Sequence, residues 1–216
     1  MHIKRKTIGN FWPVPKTGDK YMAVPLHEQR SAVPLILVMR DMLKLVKTKK
    51  ELKKLLNEKK ILVNERIVRE TNYPVCLFDS VGIPSIKKFY RINLKNKFEL
   101  VEITEADSGK KIYEIIGKTI LPGKKIQLNF NQGRNILTSE KANVGDYALI
   151  DLAKNKINKL ISLDKGVEVL VIAGKHSGEE GKIKEILTSG DQKVAVIKTH
   201  KEEIKSNVKN IFVKEQ

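Results

Sequence analysis

One part of the chain, residues 34–57, has apolar positions at a helical period. In PLILVMRDMLKLVK, which begins at Pro34, apolar residues recur at i, i+3, i+4 and i+7, and this spacing predicts an amphipathic helix. Proline is compatible with the first turn of such a helix. The next residues, TKKE at 48–51, have the form of a capping box. They predict the start of a second helix, with an apolar stripe of Leu52, Leu55 and Leu56.

Beyond the helices, apolar and polar positions alternate in short runs, which is the pattern of β-strands. ILV and RIV lie on either side of a tight polar turn at Asn64-Glu65, which predicts a small sheet. Residues 93–158 contain FELVEI, KIYEII, KIQLNF and DYALIDL with glycines between them, so an antiparallel β domain is predicted. Residues 159–216 contain further short runs at hairpin spacing, which predict a small β-barrel.

The first 33 residues have neither period. Five prolines and glycines in this stretch disfavour a long helix or an internal strand, and an extended arm is predicted. The chain is therefore interpreted as an α+β multi-domain protein. Its parts are an arm (1–33), a helix-helix-sheet domain (34–92), a central antiparallel β domain (93–158) and a C-terminal small β-barrel (159–216).

The charge of the chain points to a polyanionic partner. The 216 residues carry a formal net charge of +17, and such an excess repels itself in a folded protein unless a polyanion neutralises it. Residues 34–92 hold 14 basic and 6 acidic residues, so this domain is the electrostatic centre. Nucleic acid is the leading partner and an anionic membrane surface the second. The longest apolar run, PLILVM, is far shorter than the ~20 residues of a membrane-spanning helix, and no signal peptide is recognisable.

Basic residues of the two predicted helices lie off the apolar stripes. A merely solvated face usually interleaves glutamates with its lysines, and few acids interrupt these, so RNA or DNA contact is favoured. Two arginines after the Asn64-Glu65 turn extend the same surface. The candidate residues are Arg40, Lys44, Lys47, Lys49, Lys50, Lys53, Lys54, Asn64, Arg66 and Arg69.

The arm combines basic residues with an isolated aromatic one, which suits a tail that orders on binding RNA. A disordered terminus is the alternative. Trp12 is expected either to stack on a base or to dock against a neighbouring domain, and the sequence favours neither. The arm's candidates for RNA contact are Lys4, Arg5, Lys6, Trp12 and Arg30.

The stretch VIAGKHSGEEGKI (171–183) looks at first like a nucleotide phosphate loop. It lacks the GxxxxGK[ST] pattern, a strand rather than a helix is predicted after it, and its two glutamates would repel a triphosphate. Its glycines are better suited to a β-hairpin loop. Lys175, His176 and Lys182 remain candidates for contact with an RNA phosphate.

Catalytic and metal chemistry find little support in the sequence. The four histidines are scattered, so no metal site is predicted, and neither a cofactor nor a small-molecule substrate is expected. No GxSxG nucleophile motif is present. The single cysteine, Cys76, is interpreted as a small buried apolar residue in a protein of the reducing cytosol.

Several segments resemble known families. GVEVLVIAGKHSGEEGKIKEI resembles the KOW motif, which occurs in small β-barrels of ribosomal proteins and transcription elongation factors. HIKRKTIGNFW, PLHEQR and PLILVMRDMLK are similar to the opening of the S4e family of archaeal and eukaryotic small-subunit ribosomal proteins. KKILVNERIVRETNYPVCLFDSVGI resembles that family's S4-like RNA-binding domain. FYRI, GKKIQLNFNQGRN and VGDYALID resemble its central domain, and VKNIFVK its ending.

This resemblance implies a structural constituent of the small ribosomal subunit that binds rRNA, located in the cytoplasm beside other ribosomal proteins. It implies RNA contact at the arm, the basic helix face, the Asn64–Arg66 turn and Arg134. Asn131-Gln132 stands where family members often have His-Asp, so a polar contact there is in question. The basic C-terminal tail common in eukaryotic members is absent, which favours an archaeal-type protein.

Two alternative functions stay open. An RNA-modifying enzyme with an S4-type domain is one, although a pseudouridine synthase would carry a catalytic aspartate in a GRLD-like segment, and here Gly133-Arg134 is followed by Asn135-Ile136. A KOW-bearing transcription or translation factor is the other, and it has little need of an S4-like domain of such high charge.

Overall fold

The computed structural model describes residues 2–29, 31–122, 125–189, 192–199 and 202–214. The fold is mixed α/β, with many strands and few helices. Its tertiary contacts form two units, Met1–Gly109 and Lys110–Gln216. Within the described ranges, no helix is long and apolar enough to cross a membrane.

The first unit is built on antiparallel strands. Two short pairs, β1 with β2 and β3 with β6, accompany a five-stranded sheet of order β5-β4-β7-β8-β9. The strands are β1 (His2–Lys4), β2 (Tyr21–Ala23), β3 (Ala32–Pro34), β4 (Leu62–Val63), β5 (Arg66–Ile67), β6 (Pro74–Cys76), β7 (Ser80–Ile83), β8 (Lys88–Leu94) and β9 (Phe98–Ile103). The helices of this unit are α1 (Leu35–Leu37), α2 (Lys49–Asn57) and α3 (Glu105–Ser108), with 3-10 turns at Arg5–Thr7 and Pro84–Ile86.

The first predicted helix is shorter than its apolar pattern suggests. After α1 the backbone continues as a π-helix, Val38–Met42, and Lys44 has a left-handed φ of 56°, which a right-handed helix cannot include. All residues from Leu35 to Met39 are buried, so this helix is enclosed on every side rather than amphipathic. Arg40, Lys44 and Lys47 therefore do not form one helical face, and that prediction was wrong.

The second helix agrees with its prediction. The Thr48 hydroxyl accepts a hydrogen bond from the Glu51 N–H at 3.2 Å, and the Thr48 N–H donates to the Glu51 carboxylate at 3.4 Å, which completes the capping box. Leu52 and Leu56 are fully buried and Leu55 is half-buried. The cap and the apolar stripe together fix where α2 begins and which side faces outward.

The predicted boundary at residues 92/93 does not match the contacts. FELVEI forms β9, which pairs along its whole length with β8 of the first sheet, from Phe89 opposite Ile103 to Leu94 opposite Phe98. The division falls after Gly109 instead. Strand periodicity predicts that a strand exists but not which sheet receives it, and this assignment depends on tertiary pairing.

The second unit contains two antiparallel sheets of five strands, in the orders β12-β11-β10-β13-β14 and β18-β17-β16-β15-β19. Their strands are β10 (Lys110–Leu121), β11 (Lys125–Phe130), β12 (Asn135–Thr138), β13 (Tyr147–Asp151), β14 (Lys156–Ile161), β15 (Glu168–Val171), β16 (Glu180–Ser189), β17 (Gln192–Thr199), β18 (Glu203–Asn207) and β19 (Ile211–Val213). Two 3-10 turns, Asn131–Gly133 and Val208–Asn210, complete the unit.

A bulge after Ile115 divides β10 between two partners. Its first half pairs with β13 and its second half with β11, so the strand bends around a core that includes Leu128, Phe130 and Ile150. Strand β14 pairs with β13 in this same sheet, so the predicted boundary at 158/159 cuts through a strand. The Tyr147 hydroxyl donates to the Ile211 carbonyl at 2.8 Å and thereby joins the two sheets.

Candidate nucleic-acid interface

The outward side of α2 carries four exposed lysines, Lys49, Lys50, Lys53 and Lys54, which we call the lysine face. The lysines are exposed together because the opposite side of the helix, with Leu52 and Leu56, is buried in the core. Three of the four lysines line a groove of about 630 Å³, with Thr48 and Asn57 among its other residues. In the described part of the chain, none of the four lysines forms an ion pair.

The two carboxylates of this helix region are engaged elsewhere. The Glu51 side chain accepts a hydrogen bond from the Lys47 N–H at 2.7 Å, and this bond lowers the pKa of Glu51. The Glu58 side chain pairs with Lys60 at 2.7 Å, which lowers the pKa of Glu58. Glu58 also interacts electrostatically with Lys54, but neither acid forms an ion pair with a lysine of the face among the described residues, so most of its positive charge remains available to a partner.

A second basic feature is the β4–β5 hairpin. Asn64 and Glu65 both have left-handed φ angles, 51° and 61°, as a two-residue hairpin turn of the type I′ class requires. Arg66 and Arg69 follow it and are exposed on either side of Ile67, which is itself 52% exposed. Neither arginine has a carboxylate partner among the described residues. Two free guanidinium groups beside an apolar side chain can contact phosphate and ribose together.

The Asn64 side chain, which was predicted to contact RNA, forms hydrogen bonds within the fold. Its amide donates to the Asp79 carboxylate at 2.8 Å, and its carbonyl oxygen accepts from the Ser80 N–H at 3.0 Å. Asp79 is 3% exposed and also accepts from the Cys76 N–H at 2.7 Å. The asparagine side chain is therefore bonded to Asp79 and Ser80 and holds the hairpin against the sheet.

The residues of the first predicted helix have separate surroundings. Arg40 is exposed but forms two hydrogen bonds with Asp41, both at 2.8 Å, and this contact raises the pKa of Arg40. Lys44 and Lys47 are exposed and lie beyond the helix. Of the three, only the lysines retain a charge without a carboxylate partner in the described chain.

The arm is folded rather than extended. The Arg5 guanidinium donates to the carbonyls of Asp19 at 2.7 Å and Pro15 at 2.6 Å, and β1 pairs with β2. Trp12 is only 3% exposed. Both side chains therefore stabilise the fold of the arm, which weakens the prediction that Arg5 and Trp12 contact RNA.

Further contacts attach the arm to the first sheet. The Phe98 N–H donates to the Phe11 carbonyl at 2.9 Å, and the two rings lie 4.8 Å apart. Lys4 and Lys6 are exposed and remain candidates. Arg30 lies outside the described residues.

Arg134 is half-buried in the second unit. It donates to the Asn155 side chain at 2.8 Å, and its guanidinium carbon lies 5.5 Å from the centre of the Tyr113 ring. On the same ring lies Lys111, which is 3% exposed and donates to Gln132 at 2.7 Å. Sequence reasoning missed Lys111, since a lysine within a strand gives no sign of burial. Gln132, which stands where family members often have aspartate, thus makes a polar contact with Lys111.

The 171–183 loop has the predicted hairpin form. It joins β15 to β16, and Gly174 and Gly178 have φ angles of 98° and 91°. His176 lies 3.1 Å from the Glu179 carboxylate and Lys182 lies 3.3 Å from the Glu168 carboxylate. Lys175 alone of the three candidates is exposed without such a neighbour in the described residues. This weakens the prediction of phosphate contact for His176 and Lys182.

One surface was not recognised from the sequence. The outward sides of β10, β11 and β12 carry Thr119, Gln127, Asn129 and Asn135, which we call the amide face. Residues 115–139 contain four basic residues and no aspartate or glutamate. The absence of acidic residues from this stretch was the one feature of the sequence that could have indicated the surface.

Groups of histidine, cysteine, aspartate or glutamate suited to a metal ion are not found anywhere in the described chain.

The chain is similar in sequence to a known protein family. Residues 86–157 match the family model described as ribosomal family S4e. The small ribosomal subunit protein eS4 of Methanocella arvoryzae is 35% identical over 219 residues, which cover 98% of this chain and 93% of that protein. Its counterpart in Archaeoglobus fulgidus is 29% identical over 217 residues, covering 99% and 92%.

A solved structure is also similar. The crystal structure of the 30S ribosomal protein S4e from Thermoplasma acidophilum superposes with a TM-score of 0.70 and 26% identity, covering 85% of this chain and 94% of that one. The chain therefore belongs to the S4e family of small ribosomal subunit proteins, whose members are structural ribosomal proteins and not enzymes.

Proposed function

We propose that this chain binds ribosomal RNA within the small ribosomal subunit and supports subunit assembly and translation. The observation that carries the proposal is the lysine face of α2, whose four charges have no carboxylate partner in the described structure. Arg66 and Arg69 add two more unpaired charges. Phosphates of folded RNA supply the missing counter-charge, and each contact releases a bound cation.

The architecture supports this assignment in two places. We infer that α2 with the β4–β5 hairpin is the S4-like RNA-binding element of the chain. We infer that the sheet of β15–β19 is a KOW-type domain, since its glycine-containing loop joins β15 to β16 where the motif lies. Neighbouring ribosomal proteins are the second class of partner, and the cytoplasm is the proposed location.

Binding of this kind is led by shape and by phosphate contacts. With on the order of 6–10 phosphate contacts, affinity for rRNA falls ~10³–10⁵-fold between 50 and 200 mM salt. Several weak contacts held in one folded chain can act together, so dissociation requires all of them to open.

Gradient sedimentation of a cell lysate tests the proposal. We expect the protein to migrate with small ribosomal subunits and to remain there through a high-salt wash. A protein found only in soluble fractions, or with RNA polymerase, would overturn the ribosomal function and favour a transcription or translation factor.

A further inference from the structure

The charges of the second unit are unevenly neutralised. In the β15–β19 sheet, lysines pair with glutamates across strands: Lys182 with Glu168, Lys184 with Glu203, and Lys214 with Glu180. In the β10–β12 ladder no such pair is possible internally, because residues 115–139 have no acidic side chain. The ladder is therefore a part of this unit in which no carboxylate of its own segment offsets the basic residues.

The two sides of the ladder differ in character. One side carries Leu128 and Ile136, which are buried in the core. The register places Thr119 opposite Gln127 and Asn129 opposite Asn135, and side chains of directly opposed residues share a side. Leu137 follows on this outward side and is 57% exposed. The outward side thus presents polar groups with the exposed Leu137 among them.

Hydrogen bonds orient the polar groups of the amide face. The Gln127 amide donates to the Asn129 carbonyl oxygen at 2.9 Å, and the Asn129 amide donates to the Thr119 hydroxyl at 3.1 Å. Each amide nitrogen has a second hydrogen, and the threonine hydroxyl keeps its own. The exposed Asn135 lies opposite Asn129, next to these hydrogen-bonded side chains. The face therefore offers a row of fixed donors and acceptors without any carboxylate.

We propose that the amide face is a second RNA-contact surface, which binds the shallow minor groove of an rRNA duplex through ribose 2′-hydroxyl groups. This inference rests on the proposed function and specifies a further part of the site. Neutral donors and acceptors suit 2′-hydroxyls, which act as both donor and acceptor and line the wide minor groove of A-form RNA. Lys125, two residues before Gln127 on β11 and so on the same side, is exposed and supplies a phosphate contact at the border of the face. The exposed Leu137 suits an apolar ribose surface.

The test is equilibrium binding of the full chain to an in vitro transcript of archaeal small-subunit rRNA over a series of salt concentrations. Replacing Gln127→Ala and Asn135→Ala together is expected to weaken binding about thirtyfold, since each neutral hydrogen bond contributes about 1 kcal/mol. Neither change removes a charge, so the slope of log affinity against log salt stays the same. Asn96→Ala, an exposed asparagine in the β8–β9 loop, is the matched control and leaves affinity unchanged.

A second measurement addresses the groove directly. A short RNA duplex is expected to compete better than its 2′-O-methyl counterpart for the wild-type chain, and equally well for the double variant. If the double variant unfolds, the single change Asn135→Ala at an exposed position gives the same comparison, with about fivefold weaker binding.

The failures are distinguishable. If the wild-type chain does not bind the transcript, the proposed function fails. If the wild type binds and the amide variants bind equally well, the amide face is not an RNA surface. Loss of the variants from assembled subunits, with unchanged affinity for the bare transcript, would assign the face to a protein neighbour and overturn the inference.

Discussion

Asn64 and Asp79 are joined by a hydrogen bond of 2.8 Å between the asparagine amide and a carboxylate that is nearly excluded from solvent. The contact ties the β4–β5 turn to the loop before β7, so the position of Arg66 depends on a buried carboxylate 13 residues further along the chain. The asparagine thus has a supporting role at the interface, and the arginine beside it has the exposed charge.

Replacing Asn64 tests this supporting role. Asn64→Ala removes the donor to Asp79 and places alanine at a left-handed φ of 51°, so we expect a loss of about 1–3 kcal/mol in the free energy of unfolding. Asn64→Gly tolerates the backbone angle and loses only the amide, so it is expected to cost less. Urea unfolding measures both. Equal stability of Asn64→Ala and the wild type would show that the hydrogen bond with Asp79 is not needed.

The lysine face is tested through salt dependence. Neutralising Lys50, Lys53 and Lys54 to glutamine is expected to weaken rRNA binding and to reduce the slope of log affinity against log salt by about 3 if each contacts one phosphate. The matched control neutralises three lysines that are already paired with glutamates: Lys95, Lys184 and Lys214. The control is expected to leave the slope nearly unchanged. The same slope for both triple variants would remove the lysine face from the site.

Local signals in the sequence predicted α2 and the β4–β5 hairpin well. A capping box and a two-residue turn act within a few residues, so neighbouring positions are sufficient to specify them. The first helix was overestimated because apolar spacing cannot show that Lys44 adopts a left-handed φ or that residues 35–39 are buried on all sides. The pairing of β9 with β8 likewise depends on contacts that periodicity does not contain.

Site residues were harder to predict than elements. Charge identified the lysine face, because exposed lysines on an amphipathic helix follow from the burial of its leucines. Charge alone could not separate Arg5, which bonds to carbonyls of its own arm, from Lys4, which is exposed. Nor could it show that Lys182 lies beside Glu168, since that neighbour is on another strand.

Trp12 is expected to report on the fold of the arm rather than on RNA. It is the single tryptophan of the chain and is 3% exposed, so acrylamide should quench its fluorescence weakly, and binding of rRNA should leave both quenching and emission unchanged. Trp12→Ala is expected to cost about 3–5 kcal/mol of stability, and Trp12→Phe less. Strong quenching of the wild type by RNA would indicate that the indole stacks on a base.

Glu114 gives the second unit a pH dependence of defined sign. Burial raises the pKa of this carboxyl, and no hydrogen-bond partner is found for it in the described chain. A raised pKa means that the folded state holds the proton more tightly than the unfolded state, so ionisation of Glu114 destabilises the fold as pH rises through the unfolded and folded pKa values. Its charge also contributes, after burial, to the raised pKa of Tyr147, which lies opposite it on β13.

Glu114→Gln removes the ionisation while keeping the shape of the side chain. We expect the variant to be more stable than the wild type at pH 7, and the difference to shrink as pH falls through the raised pKa of Glu114 and to level off below the unfolded pKa of glutamate, about 4.3. Thermal unfolding at several pH values measures this, with Glu99→Gln as a control because Glu99 is an exposed glutamate that pairs with Lys95. A Glu114→Gln chain that is less stable than the wild type at pH 7 would show that the carboxylate is stabilised in the fold and not strained by burial.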